Sequence, residues 1–543
     1  MEKILRIFSK KLWTLGFAGI SAMLFAMLFV GCAERADSIN YISNLPQNVL
    51  SYVDENADST PFAESNFAES NANFAESTFA ESNAKNAKKI APKSVATKKD
   101  KSKDLANAKN PAESAKDSTK TTKDSAKDST KDSTKDSTKT AKDSTADSTQ
   151  LQNDLKQQYL AKHFSVWNDT YPPPHKDDIF WAMNVKKGFD ETKRPINEEF
   201  FNNLVASMDV ASYPSMRKKA VMVKTTNVRA LPTNKPRFSK KDGFPFDRWQ
   251  NSLIFAYTPI LVLHSTKNKE WLLVQSAFVA GWVKAEEVAF MGAKDEKEMR
   301  NGEFLLPLRD NITLYHKGQF LQNAFIGMLM QKGETTITSR KNKKSKKPQI
   351  IAYKRDTNGN AMKVKVDFDA ADFTAFPLPF SEVNIAKMIA SLGAQNYGWG
   401  GAYDNRDCSS FIRDVFANVG IWLPRNSKAQ VLQGKTLHGS QYFDLPKDND
   451  AKLAFITKFA KPFRTIIWLP GHIMLYVGVV DNAPIVAHQV WGISGEEGSE
   501  ILGGVSITTL TPQMDINSPN FSDEGGGKRR SLLDRIEAMS VVR

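Results

Sequence analysis

Residues 55 to 150 cannot build a hydrophobic core, and that limit sets where this chain of 543 residues can fold. The stretch is dominated by Ala, Lys, Asp, Ser and Thr, and Ile90, Val95 and Leu105 are its few branched apolar side chains. Mixed charge with so little to bury cannot offset the entropy of ordering, so the composition predicts a disordered segment. Two repeats run through it. Phe-Ala-Glu-Ser begins at Phe62, Phe67, Phe74 and Phe79, and Lys-Asp-Ser-Thr recurs between Lys116 and Thr145. A flexible spacer is the plain reading of both, with a weak interaction motif as the alternative for the four phenylalanines. Folded structure is expected from about residue 150 onward.

The N-terminus reads as a targeting segment. Lys3, Arg6, Lys10 and Lys11 form a basic region, Leu15 to Val30 an apolar one, and Phe29-Val-Gly-Cys32 follows where a signal would be cleaved. This resembles a bacterial lipoprotein signal, which implies lipid on Cys32 and a protein held at the cell envelope, facing the periplasm, with the outer membrane favoured by Ala33. A plain signal peptide or an uncleaved membrane anchor are the alternatives. Residues 33–150 are then expected to act as one tether, reaching roughly 55–65 Å root-mean-square as a coil. The chain has two cysteines, Cys32 and Cys408, which leaves no disulfide framework. Of the formal charge of +14, the signal segment contributes +3 and leaves +11, much of it in Arg340-Lys-Asn-Lys-Lys-Ser-Lys-Lys347. A nucleic-acid partner is not expected, because the chain carries an export signal and no nucleic-acid motif. A solvated hairpin end is the reading preferred for the basic run, ahead of attraction to anionic wall polymer or lipid.

The rest divides by hydrophobic period. Residues 151–218 carry helical stretches such as Asn197 to Val205 and suggest a small helical clip. Residues 219–293 switch to short β-type runs: Val221-Met-Val223, Asn227 to Leu231, Pro259 to Leu263, Glu270 to Val274 and Gly281-Trp-Val283. They resemble a bacterial SH3 module, with Asp242-Gly-Phe-Pro-Phe-Asp-Arg-Trp-Gln250 inserted after the first strand. A second β-rich segment, 294–376, is expected to be another SH3-like barrel. Its clearest alternation puts Val364, Val366 and Phe368 on one face.

The chemistry lies in residues 377–543. Ser381 is a suitable N-cap and Gly393 a suitable stop for a helix, which places a helix ahead of the glycine turn 398–401. A second helix is expected from Cys408 or Ser409 to Val419. A cysteine in the first turn of a helix gains from the positive end of the dipole and from unpaired N–H groups, both of which favour thiolate. Such a nucleophile needs a base. His472 begins an alternating strand in which Ile473, Leu475 and Val477 share one face, and His488 ends Pro484-Ile-Val-Ala-His488. Adjacent antiparallel strands would set the two imidazoles side by side.

Tyr397-Gly-Trp-Gly-Gly401, Asp407-Cys-Ser-Ser410, Leu423-Pro-Arg-Asn-Ser427, Gly471 to Gly478 and the later His488 together resemble the NlpC/P60 cysteine peptidases of bacterial cell walls. The resemblance implies an α+β fold: a papain-like domain with the cysteine helix packed on an antiparallel sheet, preceded by two SH3-like barrels and a helical clip. It also implies a set of roles. Cys408 would be the nucleophile, His472 the general base, His488 its orienting partner, and Tyr397 an oxyanion donor. Asp407, Ser409 and Ser427 would line the substrate site, with Asp247 and Trp249 of the barrel as further candidates. The implied substrate is the stem peptide of peptidoglycan, cut at the bond between γ-D-glutamate and a diamino acid, by a monomer that uses no cofactor or metal. A non-catalytic wall-binding scaffold, or a thiol acyltransferase or amidase on the same fold, are the rival readings.

Overall fold

The computed structural model describes residues 45, 48–53, 149–340, 343–495, 497–514, 516–523 and 530–542. Cys32, the signal segment and both repeats lie outside the described residues. No helix among the described residues is long and apolar enough to cross a membrane.

A helix over 149–163 (α1) opens the continuous part and runs along a seam between modules. Leu155 enters the core of the C-terminal domain, whereas Tyr159, Phe164 and Trp167 enter the core of the middle segment. The indole N–H of Trp167 reaches the carbonyls of Ala220 and Ile260 at 3.1 and 3.0 Å, which pins the clip to the first barrel. Helix α2, Glu198–Ser207, is capped by Asn197, whose side chain accepts from the Phe200 N–H. Its Phe201 packs with Trp249 and Trp282 of the barrel.

That barrel is one seven-stranded antiparallel sheet: β1 Lys218–Met222, β2 Thr226–Arg229, β3 Gln250–Ile254, β4 Pro259–Ser265, β5 Trp271–Gln275, β6 Ala280–Lys284 and β7 Val288–Phe290. The strand order is β3-β2-β6-β5-β4-β1-β7. The second β segment is built differently, as a hairpin of β9 Ile312–His316 with β10 Gln319–Ala324 beside a five-stranded sheet. That sheet joins β8 Phe304–Pro307, β11 Met330–Arg340, β12 Lys343–Arg355, β13 Ala361–Val366 and β14 Phe373–Ala375 in the order β13-β12-β11-β8-β14. The basic run falls at the end of the β11–β12 hairpin, where Arg340 pairs with Lys343.

The C-terminal domain packs helices α3, Glu382–Ser391, and α4, Cys408–Asn418, on the third sheet. Its strands are β15 Gln441–Asp444, β16 Thr465–Leu469, β17 His472–Val480, β18 Ala483–Ser494, β19 Ser499–Thr509, β20 Phe521–Ser522 and β21 Ala538–Val541, in the order β15-β21-β16-β17-β18-β19-β20. Alternation along β17 divides two cores. Ile473, Leu475 and Val477 join the side that holds α4, and Met474 and Tyr476 the other. Every residue of α4 is buried, because the helix lies between this sheet and the middle segment.

One expectation fails here. Residues 33–150 do not form a single tether, because Leu45 and Val49 are buried in the core of the C-terminal domain, with Tyr52 and Val53 packed at its edge. A short turn of helix, Val49–Tyr52, capped by Asn48, lies on α3 and β17. The physical reason was present in the sequence: Ile39 to Val53 is rich in branched apolar residues, unlike the repeats that follow it.

Candidate active site

The site is assembled at the start of α4. Asp407 is its N-cap, accepting from the Ser410 N–H at 2.9 Å while Ser410 Oγ accepts from the Asp407 N–H at 2.9 Å, a reciprocal capping box. Cys408 therefore occupies the first helical position, buried, and is the one free cysteine among the described residues. The backbone N–H groups of Ile473 and Ser409 both reach its sulfur. The thiol thus lies against the start of strand β17, at the residue that follows His472.

The imidazoles are joined directly. His472 Nε2 and His488 Nδ1 are 2.8 Å apart, and His488 Nε2 lies 3.2 Å from Thr508 Oγ1 on β19. Burial holds both rings in the neutral form: His472 is lowered to about 4, with Arg535 adding to the effect, and His488 falls well below its ordinary value. Burial also pushes the Cys408 thiol up to about 12, reinforced by the Asp407 charge and opposed by Arg425. Burial thus opposes the thiolate that a helix start favours.

Asp407 is fully committed. Burial would raise its pKa, but Arg425 lowers it below the ordinary range, helped by the bonds from Ser410. Arg425 Nη2 reaches Asp407 Oδ2 at 2.6 Å, Nη1 reaches Ser409 Oγ at 2.6 Å, and Nε reaches Ser252 Oγ of β3 at 2.8 Å. One guanidinium therefore ties the helix start to the first barrel. Ser409 also donates to Asp407 Oδ1 at 3.1 Å. Ser427 is half-buried and accepts from the Trp468 indole at 3.3 Å.

Tyr397 precedes the glycine turn, which β3 holds in place. Gln250 Nε2 donates to the Gly400 carbonyl at 3.1 Å, and Gly400 N–H donates to Asp407 Oδ2 at 3.0 Å. Gly400 and Gly401 have φ of +61° and +86°. A Cβ on Gly401 would lie 2.4 Å from the Leu253 Cβ, so the close approach of the barrel requires glycine there. Burial raises the Tyr397 hydroxyl well above its usual range, with Asp407 and Cys408 adding to the shift, and its ring packs 6.1 Å from Trp491. It is a neutral hydroxyl beside the thiol network, as a hydrogen-bond donor must be.

The side chains of the two barrel candidates are taken up by partners of their own. Trp249 is fully buried against Phe201 of the clip, so it cannot touch a substrate. Asp247 pairs with Arg229 at 2.7 Å and accepts the Arg237 and Trp249 N–H groups, which uses it to shape its own loop. The aromatic rings of that insert which reach the C-terminal domain are those of Phe244 and Phe246. Phe244 meets Trp491 at 6.0 Å, and Phe246 meets Trp399 at 5.1 Å and Trp491 at 6.5 Å. Arg248 lies over Trp399 at 5.0 Å, and the Trp399 indole donates to the Asp247 carbonyl at 2.9 Å. Sequence reasoning missed Arg425, Thr508, Gln250 and Trp491. Arg425 stood inside a quoted motif, and Thr508 stood in an alternating strand, but neither spacing alone indicates a partner. Among the described residues, no group of three or more His, Cys, Asp or Glu could hold a metal ion.

Three family models match the chain: the NlpC/P60 family over residues 394–479, the N-terminal stabilising domain of NLPC_P60 over 130–213, and an SH3 domain of the SH3b1 type over 236–284. Among solved structures, a novel NlpC/P60 endopeptidase from Photobacterium damselae subsp. piscicida aligns with a TM-score of 0.61 at 20% identity, covering 72% of this chain and 92% of that one. At that identity the likeness shows the fold. An NlpC/P60 family protein from Bacillus cereus aligns with a TM-score of 0.32 at 14% identity, over 52% of this chain and 82% of its own. No curated protein matches.

Proposed function

Since the chain carries an NlpC/P60 domain, that family's N-terminal stabilising domain and an SH3 domain, we propose that it is a cysteine peptidase that hydrolyses the stem peptides of peptidoglycan, at the bond between γ-D-glutamate and a diamino acid. The observation that carries this reading is the pair of imidazoles, His472 Nε2 and His488 Nδ1 2.8 Å apart, beside a buried thiol at a helix start that the N–H of Ile473, the residue after His472, reaches. In the proposed cycle His472 takes the Cys408 proton as the sulfur attacks the amide carbonyl. It then gives that proton to the leaving amine, which leaves a thioester on Cys408. Water, deprotonated by His472, attacks the thioester and restores the thiol. The Cys408 N–H and the neutral Tyr397 hydroxyl are the donors proposed for the oxyanion.

Location is part of the proposal. With lipid on Cys32, twelve residues separate the anchor from the docked Leu45. Even fully extended, such a link spans about 45 Å, and as a coil about 20 Å. The enzyme would work close to its membrane.

The test is digestion of purified peptidoglycan by the wild type and by Cys408→Ala, with mass analysis of the stem fragments. New fragments from the wild type alone are expected. Identical profiles would refute the mechanism, and products joined to an added amine in place of water would favour an acyltransferase.

A further inference from the structure

Two fully buried groups lie behind the catalytic pair, and their hydrogen-bond directions determine whether His472 can act as a base. His472 can accept a proton from the thiol at Nδ1 only if its own hydrogen is on Nε2. That nitrogen is 2.8 Å from His488 Nδ1, so His488 Nδ1 must accept, and the single hydrogen of neutral His488 must be on its Nε2. The Nε2 atom faces Thr508 Oγ1 at 3.2 Å. His488 and Thr508 both have no exposed surface, so solvent offers no substitute partner. The placement follows from register. His488 pairs with Ser506 across β18 and β19, and Thr508, two residues on, shares that face.

We propose that Thr508 is a positioning residue, whose hydroxyl accepts from His488 Nε2–H and so sustains the tautomer in which His472 is a base. The assignment rests on the catalytic reading of Cys408, His472 and His488. The opposite arrangement, with Thr508 donating, puts the His488 hydrogen on Nδ1. That hydrogen then occupies the His472 Nε2 lone pair and leaves His472 with its hydrogen towards the thiol, where it can take no proton. A hydroxyl permits both directions, whereas a methyl permits neither and leaves a buried N–H without an acceptor.

The experiment combines side-chain ¹⁵N spectra of the histidines in the full chain with peptidoglycan kinetics for Thr508→Val and Thr508→Ser. In the wild type His488 carries its proton on Nε2. Thr508→Val is expected to shift it to Nδ1 and to lower kcat about a hundredfold with KM within about twofold, by analogy with the cost of a wrong tautomer in a triad. Thr508→Ser restores both. The proposal is overturned if His488 keeps the Nε2–H form in Thr508→Val, or if Thr508→Ser loses as much rate as Thr508→Val. A wild type that cuts no peptidoglycan, but whose His488 tautomer still follows Thr508, would refute the proposed function and uphold this assignment.

Discussion

Residues 45 to 53 should be releasable from the C-terminal domain by a single substitution. Val49 is 1% exposed in the core beside α3 and β17, and Leu45 is 3% exposed. Burying a valine side chain contributes about 1.5–3 kcal/mol, and bringing a carboxylate to the same place adds a desolvation cost of several kcal/mol. Val49→Asp therefore disfavours the docked form by at least ~3 kcal/mol, about a hundredfold in population, and Val49→Ala by about tenfold. Chymotrypsin gives the assay. Leu50 and Tyr52 lie in the docked turn, and Phe62, Phe67, Phe74 and Phe79 in the repeats serve as internal controls. When opening is fast relative to cutting, cleavage follows the open population, so the ratio of the two sets of cuts reads the docking equilibrium. Relative to the controls, wild type should be cut slowly at Leu50 and Tyr52, Val49→Ala about tenfold faster than wild type, and Val49→Asp up to about a hundredfold faster. Tyr52→Phe should be protected at least as well as wild type, because the Tyr52 hydroxyl is buried without a partner. Equal cutting of both sets in the wild type, or a Val49→Asp profile identical to it, would refute the docking.

Gly401→Ala should cost about 2–4 kcal/mol in urea unfolding, because φ is +86° and the new Cβ meets that of Leu253 at 2.4 Å, and it should lower kcat by moving Tyr397. Arg425→Met should cost about 3–5 kcal/mol by leaving the Asp407 carboxylate buried and unpaired; the double variant with Asp407→Asn should regain part of that loss, and a strictly additive cycle would contradict the pairing. Acid should destabilise the fold through histidines whose folded pKa values lie below the unfolded value of 6.5. The stability is complete above pH 6.5 and is lost as pH falls toward about 4 for His472 and about 3 for His163, His472 alone accounting for on the order of 3 kcal/mol. Melting temperatures that stay level between pH 6.5 and 4 would contradict this.

What the sequence made legible was whatever a short spacing encodes. The α4 helix begins at the predicted cysteine because Asp407 and Ser410 are the right residues three apart for a capping box. The strand of His472 followed from strict alternation, and its two faces do divide two cores. Less legible was anything decided by partners far apart in the chain. Asp247 and Trp249 looked available for substrate because a loop position says nothing of the Arg229 ion pair or of the Phe201 ring that claim them. The thiolate expectation left out burial for a related reason. A helix start is visible in sequence, but the complete burial of α4 between a sheet and a second module is not, and burial sets the larger shift.

The first barrel is better regarded as one wall of the reaction site than as an appended module. Three of its contacts fall on groups that would otherwise be loosely held: Gln250 on the glycine turn, Ser252 on the guanidinium that neutralises Asp407, and the Phe246 edge on Trp399 and Trp491. A buried carboxylate next to a thiol opposes loss of the thiol proton, so in the proposed mechanism Arg425 must stay in place for Cys408 to react, and Ser252 fixes its third nitrogen. Catalytic groups misplaced by about 1 Å lose rate steeply, and positions on rigid elements resist such drift better than positions on free loops. The Leu423-Pro-Arg425 segment and the Gly398–Gly401 turn are loops by composition, and β3 supplies the rigidity they lack. A C-terminal domain without that strand would keep Cys408, His472 and His488 in its own sheet and helix, yet lose the restraint on the charge beside the sulfur.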